Sequence, residues 1–216
     1  MIYAVSRLMP VARRHVKAVI VAMILVFTAA TSAFAVESKG AQPEQNLTDI
    51  VKHTMELYFK GEAGGAKAIR DYAENIRVQA EFNKPAGVFV TLSRKGKTRG
   101  CWGSVHPQHA TIAKSTVYAT LGALSKEYRF KPIKPAETKF LKPQVTVVRA
   151  VEPVANIQMV NPFRDGVMVR SGGKSAVILP GEASDAYYEL VMAKLKAGIK
   201  ANEPCQIYKL KADIYD

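Results

Sequence analysis

Cysteine is nearly missing from this chain. Only Cys101 and Cys205 occur in 216 residues, with no CxxC pair and no histidine–cysteine cluster at zinc-ligand spacing. That excludes a structural zinc site and a disulfide-dense scaffold. Tryptophan occurs once, as Trp102. There is no internal repeat and no low-complexity tract, so repeat architectures and compositionally biased classes are excluded. No helical pattern directly follows Gly172-Gly173, so this pair is a turn and not a phosphate-cradling loop. The first 35 residues contain no acidic side chain at all.

The last of these absences points to export. Arg7, Arg13, Arg14 and Lys17 precede an uncharged run over 18–35, whose apolar centre is 19–27 and whose end is Ala33-Phe34-Ala35. A basic start, an apolar middle and small residues at the end form the secretory signal pattern. Cleavage is expected after Ala35, giving a periplasmic or secreted protein. An uncleaved membrane anchor is the weaker alternative, because Thr28, Thr31 and Ser32 dilute the second half of the run. Val36 follows the cut where a lipoprotein would need cysteine. Arg13-Arg14 hints at twin-arginine export, although the residues after it fit poorly.

Removing these residues, four of them basic and none acidic, leaves 181 and lowers the net charge from +13 to +9. Such a length suits one domain with a sizeable core. The lysines are scattered rather than massed on one periodic face, which reads as solvation. An anionic envelope surface is still a candidate partner, nucleic acid is not expected, and the oligomeric state is left open.

Residues 36–45 are polar, include Pro43 and read as a flexible leader; the folded domain spans 46–216. Asn46 can cap a helix whose Leu47, Ile50, Val51, Met55, Tyr58 and Phe59 share one face, with Gly61 as the stop. A short helix is expected over 66–77. The strand-like runs 88–92 and 98–105 flank a basic turn of about five residues containing Gly96, which fits an antiparallel hairpin. A helix rich in small residues follows over 111–126, implying close packing. Next come a β-rich run at 144–151, expected to end at Glu152-Pro153, and a hairpin of 166–171 with 174–179 around Gly172-Gly173. A helix capped by Ser184 or Asp185 and a short strand at 205–210 close the chain. Helices alternating with hairpins make the class α+β.

The most unusual stretch is Arg99-Gly100-Cys101-Trp102-Gly103-Ser104. Glycines inside a strand mark a bulge or a close approach, and two of them around Cys101 suggest that its surroundings are kept open. The hexapeptide resembles the Arg-Gly-Cys-Ile-Gly-Thr signature of the AMMECR domain family. The run 87–92, Gly96, Arg129-Phe130 with Pro132, the strand 144–148 with Glu152-Pro153, Leu179-Pro180 and the segment 196–199 follow in the family's order. The resemblance covers about 47–215. It implies a compact α+β fold with an antiparallel sheet, flanking helices and a smaller sub-domain beside a cleft near the cysteine. The reaction it implies is undefined. Prokaryotic relatives are grouped with Memo-like and radical-SAM proteins, which suggests a modification system. Two departures stand out. An export signal fits poorly with a cytosolic partnership, and Val105-His106-Pro107 replaces the family's Leu-Glu-Pro.

Within the motif, Arg99 and Cys101 are two apart and would share a strand face, where a cation lowers a thiol pKa. Cys101 is therefore a candidate nucleophile with Arg99 beside it, or else a small buried strand residue. His106 and His109 are the nearby candidate bases, and His53 is the only other histidine after the leader. Trp102 points away from Cys101 on a regular strand and is either a core anchor or part of a binding surface. Arg129 either satisfies final helix carbonyls or binds an anion at the cleft. Arg99, Gly100, Cys101, Gly103, Ser104 and Arg129 make up the candidate ligand site; no metal or cofactor is expected. A Cys101–Cys205 bond is one possibility; the other has Cys101 free and Cys205 packed as a small hydrophobe. Three functions fit: a binding or regulatory module for a small anionic or peptide ligand, a Cys101-dependent thiol enzyme (acyl transfer or redox), or a basic envelope-interaction protein.

Overall fold

The structure, a computed structural model, describes residues 44–61 and 65–216. The expected signal peptide at 1–35 and nearly all of the leader lie outside the described residues. The leader's last residue is held in place. The Gln45 amide donates to the Arg77 carbonyl at 3.1 Å, and its side chain accepts from the Tyr72 hydroxyl at 2.6 Å. Among the described residues, no helix is long and apolar enough to cross a membrane.

The described chain contains α1 (Leu47–Lys60), α2 (Gly65–Asn75), β1 (Val88–Arg94), β2 (Lys97–Ser104) and α3 (Ile112–Ser125). After these come β3 (Lys142–Val154), β4 (Asp165–Ser171), β5 (Lys174–Ile178), α4 (Ala186–Ala197) and β6 (Gln206–Tyr215). The six strands form one antiparallel sheet in the order β2-β1-β3-β6-β4-β5. This is the α+β class expected from the alternation of helices and hairpins.

Local chemistry accounts for the elements. The Asn46 carboxamide accepts from the Asp49 amide at 2.8 Å and caps α1, satisfying one of the free N–H groups of its first turn. Asp185 does the same for α4 by accepting from Tyr188, and Gly198 ends that helix at φ 69. Lys95 and Gly96 both have positive φ, at 51 and 73, and join β1 directly to β2. The five-residue connection expected there is a two-residue turn, because the strands continue to Arg94 and Lys97. Gly172-Gly173 forms the second tight turn, as expected, at φ 52 and 85.

Pro153 does not end β3, contrary to expectation. Beyond Val148 this strand pairs with β6 alone, so its other side has no ladder partner to which a proline would owe a donor.

Three apolar clusters hold the sheet. Leu47, Ile50 and Val51 of α1 and Ile112 and Val117 of α3 pack on Val88, Val90 and Leu92 of β1 and Val145 and Val147 of β3. A smaller cluster joins Ala193 of α4 to Val167, Val169 and Ile178 of β4 and β5. Phe89, Cys101 and Val148 lie on the opposite sheet face from α1 and α3, against Leu179 and Leu210. The connection after β5 and helix α4 are thereby brought round to face Cys101.

Candidate functional site

Cys101 lines a groove of about 810 Å³ walled by β1 and β2, the 129–130 segment, the 178–183 connection and α4. Thr91, Thr98, Arg129, Glu182, Tyr188 and Lys196 are also on its wall. The sulfur is half-buried and free, as is that of Cys205, which packs against the smaller cluster.

The groove differs from the expected site at Arg99. Leu92 pairs with Gly100, but Ser93 pairs with Thr98, so Arg99 is the extra residue of a β-bulge. A bulge breaks the two-residue alternation that would have placed Arg99 beside Cys101. Thr98 takes that place in the groove, and the Arg99 guanidinium turns to the Glu137 carboxylate at 3.0 Å and the Lys131 carbonyl at 3.2 Å. The guanidinium whose charge reaches Cys101 belongs to Arg129.

The glycines do not keep the cysteine open. A Cβ on Gly100 would lie 2.5 Å from the Ala123 carbonyl oxygen, and one on Gly103 would lie 2.2 Å from that of Val88. Both glycines permit close packing instead, Gly100 against α3 and Gly103 against β1. Ser104 accepts from the His106 amide at 3.1 Å and from the Gln108 side chain at 3.3 Å. Gly103 and Ser104 line a second cavity on the Trp102 side of β2. Of the six expected site residues, Cys101 and Arg129 alone meet in the groove.

Glu127 holds these two together, and no local pattern in the sequence singles it out. It accepts from the Cys101 amide at 3.3 Å and from Arg129 through Nε at 2.9 Å and the main-chain amide at 3.0 Å. Only 4% of its side chain is exposed, and the arginine beside it holds its carboxyl below the usual range. Arg129 therefore neither caps helix carbonyls nor stands free.

Burial pushes the Cys101 thiol up, and the Glu182 charge adds to this; the Thr91 hydroxyl, donating to Sγ at 3.4 Å, and the Lys196 and Arg129 charges pull it back. The resultant is upward, towards the neutral thiol, whereas an activated nucleophile needs a depressed pKa. Among the described residues no histidine lines the groove. His106 and His109 face the other cavity, and His53 meets Tyr72 edge-on.

The AMMECR1 family profile matches residues 50–216. The chain belongs to the AMMECR1 family. One relative, a protein of Thermotoga maritima, is 33% identical over 138 residues, or 62% of this chain and 79% of the relative. Another, from Methanothermobacter thermautotrophicus, is 30% identical over 189 residues, or 79% and 92%. An uncharacterized protein of Pyrococcus horikoshii, known from its crystal structure, shares the AMMECR1-like fold. Its TM-score is 0.60 at 24% identity, over 77% of this chain and 90% of that one.

Proposed function

We propose that this exported AMMECR1-family chain is a binding or regulatory module whose groove at Cys101 takes a small anionic or peptide ligand. One observation carries the reading: Cys101, Arg129 and Lys196 share a groove that also has a largely apolar rim. Tyr188, Leu195 and Phe163 on that rim are exposed large hydrophobic side chains. A concave, mostly apolar surface with a few polar groups suits the binding of a small molecule or short peptide. The two cations favour an anionic group such as a carboxylate, and Glu182 leaves room for a positive centre on the same ligand.

Thiol catalysis is the weaker reading, because the Cys101 pKa is raised and, among the described residues, no imidazole shares its groove. Docking on an anionic envelope surface is the other, weaker reading, because the lysines are scattered along the sequence rather than massed on one periodic face.

Protection of Cys101 from iodoacetamide, read by peptide mass mapping, tests the proposal against a panel of short peptides and small carboxylates. Saturable protection that weakens at least tenfold in Lys196→Ala and Arg129→Gln is expected. Absence of protection across the panel, or protection indifferent to both substitutions, overturns it.

A further inference from the structure

Strand β2 borders a cavity on its other face as well. Trp102 points away from the Cys101 groove into a separate cavity of about 1090 Å³ bounded by β2, α2 and α3. Helix α3 has no side chain where the indole rests: a Cβ on Gly122 would lie 2.1 Å from the Trp102 Cδ1. The indole is nonetheless 36% exposed, so this close packing leaves part of a flat aromatic surface facing the cavity. A second aromatic surface stands nearby, where the His109 ring stacks on Tyr118 with centroids 4.3 Å apart and planes at 24°. Burial, then the Lys114 charge, lower the His109 pKa, and Glu74 opposes them.

The charge that the described residues bring to the wall has one sign. Lys126 places Nζ 5.9 Å from the indole centre, Arg70 lines the cavity from α2, and among the described residues no carboxylate lines it.

We infer that this cavity is a second binding site, for a small planar aromatic anion. The ring lies against Trp102, and the anionic group meets Lys126 and Arg70. The site is distinct from the Cys101 groove and does not depend on it.

Trp102 is the only tryptophan of the chain, so ¹⁵N-labelled protein gives one indole N–H resonance, and that resonance reports from the site. Titration with 2-naphthoate is expected to move this peak to saturation. Its neutral isostere, 2-naphthylmethanol, should bind at least tenfold more weakly. The double variant Lys126→Ala/Arg70→Ala should lose at least tenfold for naphthoate with little change for the alcohol. Lys196→Ala should leave the titration unchanged, which separates this site from the groove on the other face. A peak that drifts without saturating, equal affinity for acid and alcohol, or indifference to the double variant overturns the inference.

Discussion

Glu127 accepts hydrogen bonds from the Cys101 amide and the Arg129 guanidinium at once. One carboxylate thus pairs an outward-facing N–H of the edge strand β2 and orients the arginine that reaches the groove. Its near-complete burial makes loss of the charge costly, since a glutamine there keeps one acceptor oxygen but leaves the guanidinium without its counter-charge. Glu127→Gln is expected to lower unfolding free energy by about 2 kcal/mol, a value discounted because Arg129 is 38% exposed. The Glu127 pKa is depressed in the fold, so its contribution is complete above the unfolded value and disappears as pH falls through the folded one. Urea titrations of both proteins should therefore differ at pH 7 and converge in acid. A gap independent of pH would mean that the charge is not what matters.

Cys101 and Glu182 form the second testable relationship. The carboxylate raises the thiol pKa, and Lys196 lowers it. Glu182→Gln should shift half-maximal alkylation of Cys101 to lower pH, and Lys196→Ala should shift it to higher pH. In the unsubstituted chain that midpoint should lie above the ordinary thiol value of about 8.5. A glutamine side chain keeps an oxygen able to accept from the Leu179 amide, as Glu182 does at 3.0 Å, so the change in charge is read with little loss of structure. A midpoint below the ordinary value would revive the nucleophile reading.

Sequence periodicity makes the elements legible and the groove only partly so. The apolar face of α1, its Asn46 cap and the Gly172-Gly173 turn follow from local chemistry, and the structure contains all three. Alternation misplaces Arg99 because it holds only without a bulge, and the pairing of Ser93 with Thr98 is a property of two strands together. Glu127 is hidden in the sequence because one of its partners, the Cys101 amide, is 26 residues away. Glu182 and Lys196 come from the other half of the chain, and only the sheet order brings them to Cys101. The glycine pair is conspicuous for a reason other than openness: a missing Cβ marks close packing as readily as an open site.

That packing gives a third prediction. Gly122→Ala places a methyl group 2.1 Å from the Trp102 Cδ1, so the indole must shift out of its seat, and the change should cost about 1–3 kcal/mol. Gly96→Ala meets nothing within 4 Å, but φ is +73 there, so only backbone strain of about 1 kcal/mol is expected. Combining Gly122→Ala with Trp102→Leu should recover part of the first loss, whereas Gly96→Ala with Trp102→Leu should be additive. Additivity in both pairs would show that the glycine serves some purpose other than seating the indole.

Glu189 gives the prediction with the opposite sign. It lies in the first turn of α4, 0% exposed, and neither carboxylate oxygen has a hydrogen-bond partner among the described residues. Burial, then the charges of Glu182 and Asp165, push its pKa up to about 8. A carboxyl raised in the fold keeps a proton that the unfolded chain releases near 4.5. Between those values the folded state binds more protons, so stability falls as pH rises and levels off above about 8. The full excursion is about 3–5 kcal/mol. Glu189→Gln is neutral throughout and should match the unsubstituted chain near pH 4, then exceed it increasingly up to about pH 8–9. Parallel stability curves for the two proteins across that range would mean that Glu189 has found a partner or a route to water, and that its carboxyl titrates normally.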